Sequence, residues 1–403
     1  MKKNLSITLC GLLITIMLTN LTQMPEWLGN SGIKLLSYAP WILMAVYSLA
    51  GLKYNNTFHV GNQLYLYVLT WIVFLVCAIL ELYLGKGFNV AVFRPLLISL
   101  FIYVISLNLG YNISEKSLNY ILVAYILSSL FVAGSIFVTL MGTGFDWSSR
   151  VYAYDSKNSA SQILLTALFF LIYLHGKKNK LIDIFILVGC AFLTYTMFMM
   201  KSRASLLGIV VIFVSVLANG KYSKSTKAIV YIATVAFLGL FILNGDFQEF
   251  FLDSFVFTGK DASDLNDVSS GRITMIEDFP KMFAQRPILG HGRNYVECMQ
   301  LNALIEVGLL GGIPINILAL APIVYAFKSY RKYKKPIDYL LLIVGICYYI
   351  NGVFEQLSPF GPGVKCYMLW LLFGLSVSWR EKYNYEKGVM DYQHADNVSR
   401  SLF

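Results

Sequence analysis

Five arginines stand where an otherwise apolar chain opens to water, and their spacing suits an anionic ligand. Arg203 begins an apolar run within Ser202-Arg203-Ala204-Ser205, and Arg272 follows Gly271. Arg286 precedes Pro287, Arg293 follows the Gly290-His291-Gly292 turn, and Arg150 lies shortly before Lys157-Asn158. A guanidinium near hydrocarbon is costly, so it persists mainly where it has a partner. Its planar fork holds phosphate oxygens bidentately while staying charged. Arginines converging at one place would bind an anionic lipid headgroup and stabilise it as it departs. Singly, each can equally snorkel to an interface or pair with Asp267, Glu277 or Asp278.

A base for such chemistry is less plainly marked. Glu297 and Glu306 flank the start of an apolar run, and Asn302 precedes Glu306 by four residues, which puts both on one helix face. A carboxylate there either deprotonates a sugar hydroxyl or pairs with an arginine and holds the neighbouring loop. His291, Glu277 and Asp278 are the loop alternatives. The six cysteines form no metal spacing, and no phosphate loop or nucleophile elbow is present. The residues themselves therefore point to no cofactor and no metal.

The elements that must position these groups are written in the hydropathy. Apolar side chains make up 57% of 403 residues and charged ones 13%, with a mean hydropathy of +0.63. That composition is too apolar for a soluble fold. Runs of about twenty residues match the length that crosses about 30 Å of hydrocarbon. The expected fold is an all-α polytopic membrane protein of about twelve transmembrane helices. Residues 1–244 hold nine spans and 302–379 three more, Ile33–Leu52, Asn302–Phe327 and Val364–Val377 among them. Residues 380–403 form a tail. Between the two sets of spans, 245–301 is one large loop carrying five Lys/Arg and nine Asp/Glu. Within it Phe247, Phe251 and Phe255 make an aromatic stripe, and Ile276, Phe279 and Phe283 mark a second amphipathic helix.

The formal charge of +10 is spread so as to exclude nucleic acid as the partner. Alternate short connections and the termini hold 19 of the 32 Lys/Arg, by count over the sequence. This bias places both termini in the cytoplasm and the long loop outside. Paired interrupted helices, expected of an inverted-repeat transporter, are not evident.

From Ser202 onward the chain resembles the O-antigen polymerase/ligase superfamily of bacterial membrane glycosyltransferases. The resemblance rests on Ser202-Arg203-Ala204-Ser205, Gly271-Arg272, Arg286-Pro287-Ile288-Leu289-Gly290-His291-Gly292, and the run Leu301-Asn302-Ala303-Leu304-Ile305-Glu306-Val307-Gly308-Leu309-Leu310-Gly311. Arg150 with Asn158-Ser159-Ala160 echoes a further family pattern, with Ala160 one residue early. The resemblance implies a metal-independent, inverting enzyme of the plasma membrane. It would move a growing glycan from a polyprenyl pyrophosphate onto a hydroxyl of the next lipid-linked repeat unit, for a capsule, exopolysaccharide or O-antigen. On this reading Arg203, Arg272 and Glu306 are catalytic, while Arg150, Asn158, Arg286, His291, Arg293, Glu297 and Asn302 bind substrate. Partners would be polyprenyl-pyrophosphate-linked oligosaccharides, membrane lipids, and the flippase and chain-length regulator of the same pathway. Ligases of the family carry His-Asn where this chain has Leu301-Asn302, so the departure favours a polymerase. Ligase-type transfer to another acceptor and a lipid-linked oligosaccharide flippase are the alternatives.

Overall fold

A computed structural model describes residues 2–28, 31–55, 64–85, 90–142, 157–176, 180–253, 264, 266, 269, 271–294, 296–361 and 365–401. Among these the regular structure is helix, without strands. The first half of the chain supplies α1 (Lys2–Leu21), α2 (Pro25–Leu28), α3 (Ser31–Leu36), α4 (Ala39–Asn55), α5 (Leu64–Leu84), α6 (Val90–Asn112), α7 (Leu118–Met141), α8 (Lys157–Leu174) and α9 (Lys180–Met199). The second supplies α10 (Arg203–Ala218), α11 (Lys224–Leu243), α12 (Gly245–Phe251), α13 (Arg272–Gln285), α14 (Met299–Tyr333), α15 (Pro336–Asn351) and α16 (Tyr367–Ser401). Helices α5, α6, α7, α9, α11 and α14 contain stretches long and apolar enough to cross a membrane, and α1, α4, α8, α10 and α15 contain shorter apolar ones. The apolar run Ile33–Leu52 is divided between α3 and α4, with Ser37 and Tyr38 in the turn.

The division between core and surface follows from helices that are apolar all round. In α5 the buried residues Leu66, Thr70, Val73, Val76, Cys77 and Leu80 recur at helical spacing and face α14. The outward residues are equally apolar: Leu82 is 85% exposed and Leu243 is 86% exposed. An apolar surface of this extent needs lipid around it. Several polar side chains inside the bundle are paired across helices. The amide nitrogen of Asn20 donates to Ser128 Oγ at 2.9 Å and Ser129 Oγ at 3.2 Å, and its oxygen accepts from the Tyr367 hydroxyl at 3.0 Å. This ties α1, α7 and α16 together without help from water.

Helix α14 is where the fold departs from a plain bundle. It is interrupted at Gly308, whose backbone stands at φ 62° and ψ −163°. In an unbroken helix the amides of Leu309 and Leu310 would donate to the carbonyls of Ile305 and Glu306. Here the preceding segment takes their place. The amides of Leu309 and Leu310 donate instead to the carbonyls of Pro287 and Ile288, at 2.8 and 3.2 Å. The carbonyls of Ile305 and Glu306 accept from His291 and Gly292, at 2.8 and 2.9 Å. Four bonds from the loop take the place of two helical ones, so these two amides and two carbonyls stay paired in an apolar setting.

One end of the bundle gathers the start of α6, the end of α5, the starts of α10 and α14 and the end of α15. Met299 N there donates to Gly352 O at 2.7 Å. The other end carries a buried ion pair. Asp338 is fully buried and accepts from Arg380 Nη2 at 2.7 Å and Ser376 Oγ at 2.6 Å. The Arg380 guanidinium is 4.4 Å from the Tyr333 ring and 5.1 Å from the Tyr325 ring. Removing one partner of a buried pair leaves an uncompensated charge, which costs about 3–5 kcal/mol. Arg380→Ala is accordingly expected to lower the thermal stability of the detergent-purified protein sharply. Asp338→Asn combined with Arg380→Met should restore much of it, because both charges are then gone.

Candidate functional site

Two turns bring the site's arginines to the same end. Helix α9 ends at Met199 and α10 starts at Arg203, with Lys201 in the left-handed region at φ 51°. This tight reversal sets Arg203 at the mouth of the bundle, half-buried. Gly271, at φ 80°, opens α13 and places Arg272 in its first turn. Arg272 Nη2 donates to Glu297 Oε2 at 2.5 Å and to the carbonyl of Phe354 at 3.3 Å. Its Nη1 donates to the carbonyl of Ser269 at 3.4 Å, and its centre is 5.7 Å from the Phe354 ring. The remaining donor, Nε, is buried without a protein partner. Arg203 lies close enough to feel the charges of both Arg272 and Glu297. Arg203 and Arg272, from separate helices, thus lie within electrostatic reach of Glu297, which is ion-paired with Arg272.

Beside this cluster Asn302 and Glu306 form a second, wholly buried group on α14. Glu306 Oε1 accepts from the amide of Asn294 at 3.2 Å, and Oε2 accepts from Asn302 Nδ2 at 2.9 Å. Asn302 Oδ1 in turn accepts from the amide of Val296 at 2.9 Å. The pair therefore pins the 294–298 segment that carries Glu297. The Glu306 carboxylate also borders a cavity of about 20 Å³ lined by Pro95, Leu96, Asn302 and Gln356, room for about one water. Arg293 is exposed but near enough to act on Glu306 electrostatically.

Glu306→Gln tests how much of this is structural. A glutamine amide must turn its NH₂ toward either the Asn294 amide or Asn302 Nδ2, and Asn302 cannot rotate without losing Val296. One buried donor is left facing another, so unfolding free energy is expected to fall by about 1–3 kcal/mol. A melting curve unchanged from wild type would show that this carboxylate does not hold the loop.

The other expected site residues are placed differently. Arg286 is exposed, with its guanidinium 5.9 Å from the Tyr83 ring at the end of α5. His291 Nε2 donates to the carbonyl of Met282 at 2.7 Å and so ties the turn to α13. Asn158 lies in the first turn of α8, and Arg150 is outside the described residues. Sequence reasoning missed Phe354 and Gln356, which partner Arg272 and Asn294 from beyond α15. Their only signal is a short polar break, Glu355-Gln356, between two apolar runs. The aromatic stripe packs on the end of α11, with Phe251 5.3 Å from Phe237 and 5.7 Å from Phe241 and Phe247 6.1 Å from Phe237. Phe255 is outside the described residues.

Apolar helices that expose leucine on every side, with an arginine–carboxylate cluster at one end, define a polytopic membrane protein with a polar site at one face. A family model described as O-antigen ligase matches residues 187–315, and this supports the O-antigen polymerase/ligase superfamily, whose members are membrane enzymes of glycosyltransferase type. The match runs from within α9 into α14 and includes Arg203, Arg272, Glu297, Asn302, Glu306, Gly290 and Gly308. No curated protein matches the chain.

Proposed function

We propose that this protein polymerises polyprenyl-pyrophosphate-linked oligosaccharide repeat units into a surface polysaccharide, a capsule, exopolysaccharide or O-antigen. The observation that carries the reading is the Arg272–Glu297 ion pair with Arg203 in electrostatic reach of both. A pyrophosphate brings more negative charge than one carboxylate and can take over both guanidiniums, including the unpaired Arg272 Nε. As the bond from the donor's anomeric carbon to the pyrophosphate oxygen breaks, charge grows on that oxygen, and fixed cations there lower the barrier. The acceptor hydroxyl forms the new bond to the anomeric carbon from the opposite face, and its proton passes to a base. Glu306 is the group we assign to that step, since it borders a cavity beside the cluster. Leu301 supports polymerase over ligase. Positive-inside charge supports an extracytoplasmic site and cytoplasmic termini, with the flippase and chain-length regulator of the pathway as neighbours.

The test is reconstitution with one defined lipid-linked repeat unit, with and without a chelator. A ladder of oligomers, unchanged by the chelator, is expected. Transfer to a lipid A-core acceptor without a ladder would make the protein a ligase, and a ladder abolished by the chelator would remove the metal-free scheme.

A further inference from the structure

Pro95 and Leu96 wall the Glu306 cavity, but the neighbouring residues of α6 serve another surface. Arg94, Leu97, Ile98 and Phe101 recur at three- and four-residue spacing and share one face of the helix. Leu97, Ile98 and Phe101, with Tyr38, Trp41 and Ile42 from the start of α4, enclose an apolar groove of about 480 Å³. Trp41 forms a buried floor at 2% exposure, while Ile42, Leu97 and Phe101 remain 54%, 49% and 39% exposed, so the groove opens sideways. At its rim Arg94 Nη2 donates to the Tyr38 hydroxyl at 3.1 Å, and the guanidinium is 5.5 Å from the Tyr38 ring. Among the described residues no carboxylate is paired with Arg94.

An apolar slot open on its flank, topped by a cation held on an aromatic ring, fits a lipid with a hydrocarbon tail and a phosphate head. Which lipid follows from the chemistry of the reaction. Two lipid pyrophosphates must be present together, and only the donor's may be cleaved. The acceptor's pyrophosphate must therefore sit away from Arg203 and Arg272, yet close enough for its sugar to reach the base. Arg94 meets the second condition because it directly precedes the residues that wall the Glu306 cavity, and its contact with Tyr38 shares no partner with Arg272.

We propose that this groove seats the acceptor, its polyprenyl tail along α4 and α6, its pyrophosphate on Arg94 and its sugar across Pro95 and Leu96 toward Glu306. The proposal rests on the polymerase reading above. During transfer the acceptor's own sugar–phosphate bond stays intact. Its hydroxyl oxygen joins the donor's anomeric carbon, and the electron pair of the broken bond leaves with the donor's pyrophosphate. One cation at the acceptor's phosphate, against two at the donor's, is enough to hold it without activating it.

The full chain in nanodiscs, photolabelled with a sugar-free polyprenyl pyrophosphate carrying a diazirine in its tail, tests this. Label is expected on peptides from α4 and α6 and should be competed by unlabelled polyprenyl pyrophosphate. Arg94→Glu should weaken that competition roughly tenfold, and Leu97→Trp, which fills the groove and leaves Arg94 in place, should also reduce labelling. Label confined to other helices, labelling indifferent to both variants, or equal competition by phosphatidylglycerol would each overturn the assignment. Oligomer formation by the wild-type protein is measured alongside. A ladder without groove labelling sinks this site alone, whereas no ladder at all removes the polymerase reading and the acceptor role with it.

Discussion

Arg272→Ala is expected to abolish polymer while leaving a folded, membrane-inserted protein. Arg272 offers a pyrophosphate a fork and a spare donor, and a donor aimed at a leaving oxygen is worth about 10²–10³ in rate. The loss should exceed that figure, because one of the cluster's positive charges disappears as well. The fold should survive: Glu297 is 28% exposed and keeps Arg203 as a neighbour, so no carboxylate is stranded. Arg203→Ala should behave alike, and lysine at either position should recover little, since an ammonium lacks the planar fork. The readout is the oligomer ladder, normalised to protein that elutes as a single species and melts like wild type. A normal ladder from well-folded Arg203→Ala or Arg272→Ala protein would falsify the assignment of that residue.

The second large effect is on folding, at Gly308. A methyl group there would lie 2.2 Å from the carbonyl oxygen of Ile288, and at Gly290 2.5 Å from the amide nitrogen of Gly308. Both obstacles are backbone, which cannot swing aside. The dihedral pair at Gly308 also belongs to a region essentially reserved for glycine, at a cost of about 1–3 kcal/mol for other residues. Overlap adds a similar amount, and the sum is a large part of the about 5–15 kcal/mol that holds a typical domain. Gly308→Ala is expected to deplete the protein from the membrane fraction. Gly134→Ala and Gly239→Ala are the controls: nothing lies within 4 Å of the added methyl at either, and alanine suits a helix interior better. If Gly308→Ala accumulates and melts as those controls do, the interlock contributes nothing.

The apolar elements were legible because their composition admits few other folds, and most helices begin and end close to the apolar runs; α16 is an exception, continuing past Val377 to Ser401 through the expected tail. Arg203 and Arg272 could be singled out by type and position, but not paired. They are separated by 69 positions, and only the turn at Lys201 and the left-handed Gly271 bring them to one carboxylate. The break in α14 was illegible for a different reason. Val307-Gly308-Leu309-Leu310-Gly311 reads as ordinary membrane helix, and its interruption is specified by Pro287–Gly292, a distant segment whose own glycines look like a simple turn. Glu306 could be read either as a base or as an anchor. Its two accepted hydrogen bonds show the anchoring: the one from Asn302 follows from four-residue spacing, whereas the one from the Asn294 amide is encoded in no local pattern. Arg94 was one basic residue among several at span ends until α4 was seen to pack beside it.

The splice between Pro287–Gly292 and α14 bears on how the chain is built during translation. The ribosome delivers the mending segment before the helix it mends. A nascent α14 that partitioned into the bilayer alone would close its own helix through Gly308, so docking of Pro287–Gly292 exchanges two helical bonds for four between the segments. The final shape of α14 is therefore acquired only once the loop has folded back onto it, which couples maturation of the polar site to that docking.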